Sequence, residues 1–70
     1  MTAESANAVL ELTRQVSNLI QEGQFSLATA KLVETARADQ TLYEAVLNNL
    51  KEYVLKGDID DLIATVEMVR

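Results

Sequence analysis

Seventy residues make one domain at most, and a chain this short withdraws only about 60% of its unfolded surface from water on folding, so its core is marginal. Cysteine and histidine are both absent, which excludes disulfides and the usual structural zinc ligands and leaves association or regular helix packing to hold the fold. Six Lys and Arg against eleven Asp and Glu give a formal charge of −5 with no basic run, a surface that repels nucleic-acid phosphates and anionic membranes.

The opening Met1-Thr2-Ala3-Glu4-Ser5 carries no basic segment and leads into no long apolar stretch. Neither a signal peptide nor a membrane span is expected, and the cytoplasm is the expected compartment. Val9, Leu12, Val16, Leu19 and Ile20 then fall at the three-and-four spacing of a helical stripe, predicting a first helix over 3–22 with Thr2 or Ser5 as its cap. Gly23 permits the stop, because a residue without Cβ adopts the left-handed backbone that ends helices.

Phe25, Ala28, Leu32 and Ala36 predict a second helix over 25–38, with Gln24 or Ser26 near its start and Asp39 closing it. Thr41-Leu42-Tyr43-Glu44 has the form of a capping box and marks a third helix over 41–56, with Tyr43, Val46, Leu47, Leu50, Tyr53 and Val54 on one face. Glu52 and Lys56, four apart, are expected to pair on that helix. Gly57 is read as its stop, and Asp58 as the cap of a fourth helix over 58–69 carrying Ile59, Leu62, Ile63, Val66 and Val69. Short connections force neighbouring helices antiparallel, so the expected fold is all-α, with two antiparallel helical hairpins in a small four-helix bundle.

The only two glycines are 34 positions apart, and laying residues 9–36 on 43–70 superposes the stripes, with Val9 on Tyr43, Val16 on Leu50, Phe25 on Ile59 and Leu32 on Val66. Two amphipathic hairpins of similar length align in this way with or without common descent. The period, together with the Gly-x-Phe-x-x-Ala step of Gly23, Phe25 and Ala28, resembles the tetratricopeptide repeat around the turn between its two helices. The chain departs from that pattern at Val16 and Leu50, where the repeat favours a small residue, at Gln40 in place of a proline, and at Leu62 in place of an alanine. The resemblance implies a pair of hairpins acting as a peptide- or protein-binding scaffold, and carries over no groove residue.

Without His or Cys, no Ser, Thr, Lys, Tyr or carboxylate stands in a recognisable nucleophile–base arrangement, so no catalytic residue, enzyme activity or cofactor is expected. Asp58, Asp60 and Asp61 form the densest acidic cluster, but capping and the positive end of the helix dipole explain three aspartates in a first turn, and the glycine precedes them where a calcium loop needs it inside. Tyr43 and Tyr53 are expected to pack in the core with their hydroxyls at its rim.

Three leucines miss their stripes. At about 100° per residue, Leu10 stands roughly 140° from the centre of the first stripe, Leu55 similarly far from the third, and Leu27 is well off the second. In a chain that is 49% apolar these three mark a candidate partner or subunit interface. The function expected is that of a small acidic protein–protein interaction module, with an unidentified protein partner and a homodimer among the associations expected. The alternative is a helix-turn-helix DNA-binding regulator, whose recognition helix would carry Lys31 to Arg37 or Asn48 to Lys51, both diluted by Glu34, Glu44 and Glu52.

Overall fold

The structure, a computed structural model, describes residues 3–70, with side chains from residue 6 onward. Among the described residues there are four helices and no strand: α1 (Ala3–Gln21), α2 (Phe25–Ala38), α3 (Gln40–Leu50) and α4 (Lys56–Val69). The all-α bundle expected from the periodicity is present. Its organising element is α2, which packs on each of the other three, while α1 also packs on α3. No described helix is long and apolar enough to cross a membrane.

The core joins Val9 and Val16 of α1, Ala28, Leu32, Val33 and Ala36 of α2, Tyr43, Val46 and Leu50 of α3, and Ile59, Leu62 and Val66 of α4. Burying a Val or Leu side chain contributes roughly 1.5–3 kcal/mol, so these residues carry most of the favourable term in folding. Polar residues share the interior. Thr13, Thr29 and Thr35 are buried, and each hydroxyl donates to the carbonyl four residues earlier, on Val9 at 2.6 Å, Phe25 at 3.0 Å and Lys31 at 2.9 Å. A threonine satisfied in this way costs little to bury and packs as a small apolar residue.

The first reversal is a complete Schellman turn. Gly23 adopts φ 77°, its N–H donates to Ile20 O at 3.1 Å, and the Gln24 N–H donates to Leu19 O at 2.8 Å. Thr2 lies outside the described residues, and Ser5 falls inside α1 rather than at its cap. At the start of α2, Gln24 is the cap residue and its side chain makes no capping bond.

Asp39 alone connects α2 to α3. Its N–H donates to Thr35 O at 2.8 Å, closing α2, and its Oδ1 accepts from the Leu42 N–H at 3.1 Å, capping α3. The capping-box reading of Thr41 is therefore corrected: Thr41 lies inside the helix and Asp39 does the capping.

The second reversal departs furthest from expectation. Helix α3 stops at Leu50, not 56, and residues 51–55 form a turn in which Glu52 and Tyr53 donate to Asn49 O and Leu50 O, three residues back. With no glycine before Gly57 to allow a left-handed stop, the helix tightens and unwinds instead. Val54 remains half-buried against the core while Tyr53 is exposed, and the chain crosses to place Ile59, Leu62 and Val66 on α2. Tertiary burial overrides the helix propensity of Lys51-Glu52-Tyr53.

Gly57 consequently lies inside α4, with a negative φ, and Leu55 is the cap residue. It stops nothing. Asp58 sits in the first turn without capping, favoured there by the helix dipole. Glu52 and Lys56 fall on opposite sides of the helix boundary, so the expected pair on one helix is not formed, and Lys56 stands at a helix start rather than a helix end.

Candidate functional site

Among the grooves lined by described residues, two run along helices of the bundle. The first, of about 310 Å³, has as its floor a stripe of α1, Leu10, Thr13, Arg14, Ser17, Asn18 and Gln21, and as its far wall Tyr53 from the turn after α3. The second, of about 500 Å³, lies along the equivalent stripe of α2, Ser26, Thr29, Ala30, Val33, Glu34 and Arg37, closed by Val69 of α4.

Leu10 reaches the first groove because the buried face of α1 is not centred where its apolar residues alone would put it. Thr13 and Ser17 are buried with Val9 and Val16, and their mean direction lies roughly 75° from Leu10 at about 100° per residue. Leu10 therefore stands at the rim of the packed face, half-exposed, and not opposite it. Tyr53 is 59% exposed, which corrects its assignment to the core: with α3 ended at Leu50, its side chain lies outside the bundle and lines the groove along α1.

The polar chemistry of this groove is unbalanced. The Thr13 hydroxyl is committed to Val9 O, and the Ser17 Oγ lies 3.5 Å from the Gln21 amide nitrogen. Arg14 is the sole ionisable lining group besides the tyrosine, no carboxylate faces it across the groove, and it makes no ion pair with a described residue. The second groove contains both Glu34 and Arg37 and so carries its own counter-charge.

The other two off-stripe leucines go elsewhere. Leu27 lies on the outward face of α2 and is 55% exposed. Leu55 is 77% exposed, not because it faces away on a third helix but because no helix forms there. Neither lines either of these two grooves. Val69, expected in the last stripe, is exposed beside α2, and Met68 is more exposed still.

Of the two segments considered for reading DNA, Lys31 to Arg37 lies on α2, the helix most enclosed by the others, with Lys31 half-buried. Asn48 to Lys51 straddles the end of α3, where Lys51 Nζ donates to Asn48 Oδ1 at 3.5 Å. Among the described residues no three carboxylates are grouped as a metal ion would need, Asp58, Asp60 and Asp61 included.

Tyr43 is the most unusual buried group. It is 2% exposed and its hydroxyl has no hydrogen-bond partner among the described residues, which corrects the expectation of a hydroxyl at the rim. The Arg70 guanidinium stands 5.5 Å from its ring centroid, donates to Gln40 Oε1, and lies 3.4 Å from Glu67 Oε1. This ties the last turn of α4 to the first turn of α3. Burial raises the Tyr43 phenol above its ordinary value of 10.0; Glu67 adds to the rise and Arg70 opposes it. A hydroxyl so enclosed serves the packing of the ring and presents nothing to a ligand.

Comparison with protein-family models, with curated proteins and with solved structures found no match to this chain.

Proposed function

We propose that this chain is a small acidic protein–protein interaction module, an adaptor, regulator or assembly subunit that works through apolar helix surface. The observation that carries the reading is the first groove, which exposed Leu10 and exposed Tyr53, from two different elements, line together with polar groups. Solvated surface needs no such juxtaposition across two elements.

A single copy of the chain makes a compact bundle. Its radius of gyration of 11.0 Å equals the value of about 11 Å expected of a folded monomer of this length. Its accessible surface of 4514 Å² is close to the roughly 4,300 Å² expected for its mass of 7.7 kDa. Exposed leucines on a compact fold fit a partner that comes and goes better than the missing half of an obligate dimer. Lack of cysteine fits a reducing cytoplasm.

The test is affinity capture from the native host with mass readout, run in parallel on the wild type and on a Leu10→Lys, Leu55→Lys double variant. The expected outcome is a protein retained by the first and lost from the second, with both variants folded by circular dichroism. Identical captures from the two, or none from the wild type, would overturn the reading. Retention on heparin or bulk DNA at low salt would instead favour the DNA-binding alternative.

A further inference from the structure

The first groove also specifies a class of partner, an inference that rests on the interaction-module reading. We propose that it receives an amphipathic helix of about three turns that lays its apolar side chains on Leu10 and Tyr53 and brings a carboxylate to Arg14.

Length accommodates a helix, and the lack of a strand edge favours one. The lining residues of α1 recur at intervals of three and four from Leu10 to Gln21, a run of roughly 16 Å at 1.5 Å per residue. That is the length of an eleven-residue helical segment laid alongside, and the described residues offer no strand edge to which an extended peptide could add.

Charge selects the carboxylate. Arg14 is a planar donor with no acid opposite it, and a carboxylate meets such a fork in two parallel hydrogen bonds. The chain as a whole is acidic at −5, which opposes an acidic guest. Screening decides between the two effects: at physiological salt, exposed charges more than about 8 Å apart interact weakly, whereas the contact pair keeps its attraction. The guest is therefore a helix with one carboxylate in register with Arg14 and near-neutral or basic character elsewhere. The second groove lacks this demand, because Glu34 and Arg37 share it.

The experiment is selection, on the intact 70-residue protein, from a displayed library of sixteen-residue helical peptides whose contact face is randomised over Leu, Ala, Ser, Glu and Lys. Enriched peptides are expected to carry a Glu on the apolar face. Their binding should fall at least tenfold with Arg14→Glu, recover in part when the peptide Glu is changed to Lys, and fall similarly with Tyr53→Ala. Binding should be unchanged with Leu27→Ser, and all of these sites are exposed, so thermal midpoints should move little. Enrichment of Lys in place of Glu, or binding indifferent to Arg14 and Tyr53, overturns the groove assignment. If that binding instead maps to Leu27 or Leu55, the interaction-module reading survives without the groove. No enrichment at all overturns the groove assignment, and the capture experiment then decides the interaction-module reading by itself. A dimer in solution that Arg14→Glu abolishes would replace the helix with a second copy and likewise overturn the proposal.

Discussion

The two reversals that flank the packed core perform the same task by different means. At residues 22–24 a single glycine in the left-handed region satisfies the end of α1 and turns the chain within three residues. At residues 51–55 no glycine is in place, the helix tightens into three-residue bonds, and five residues are spent crossing to α2. At the second reversal the last buried residue of the helix, and not a glycine, marks its end. Leu50, fully buried, is that residue for α3.

The comparison can be broken first at Leu50. Leu50→Ala removes a side chain with no exposure from the point where α3 gives way to the turn, and should cost about 2–5 kcal/mol in urea unfolding. A smaller cost would show that the helix end is set by the turn itself.

Gly23→Ala comes next. No atom lies within 4 Å of the added Cβ, so its penalty is backbone strain alone, about 1–2 kcal/mol for a left-handed residue. Tyr43→Phe should act in the opposite direction, because it deletes a buried hydroxyl without a partner, and a gain of about 1 kcal/mol is expected. Its pH dependence adds a sign. The unfolded chain releases the phenol proton near 10.0 while the folded chain retains it, so wild-type stability falls as pH rises above that value until the folded group also ionises. Tyr43→Phe should lose less over that interval when both proteins are unfolded at pH 8 and pH 11.

The smallest effect sharpens the contrast most. Gly57→Ala, in the first turn of α4 with open space around it, should raise stability by about 0.5 kcal/mol, opposite in sign to the same substitution at Gly23. Equal signs at the two glycines would mean that the difference between the reversals is not one of backbone conformation.

Helix content, the first turn and most of the core were legible in the sequence, because three-and-four apolar spacing and a lone glycine are local signals. Asp39 was recognised as the end of α2, but its second role depended on how closely α3 follows. The superposition of residues 9–36 on 43–70 treated Gly57 as a second Gly23; their backbones differ, since the pattern of apolar residues carries no information on where a helix yields to tertiary packing. The groove was half visible. Leu10 stood out as apolar and off-stripe, whereas Thr13 and Ser17, which turn the buried face towards it, were hidden by their hydroxyls. Tyr53 fitted the helical period too well to suggest a wall of that groove.

The joint at Asp39 has a practical consequence for anyone attaching a reporter to this protein. With one residue both ending α2 and starting α3, an inserted segment there would pull apart two hydrogen-bonded caps at once. The turn at 51–55 has slack, but Tyr53 stands on it, so a fluorophore placed there would sit in the doorway of the groove. The outward face of α2 around Leu27 is the better mounting point, since a dye there would leave both joints and that groove undisturbed.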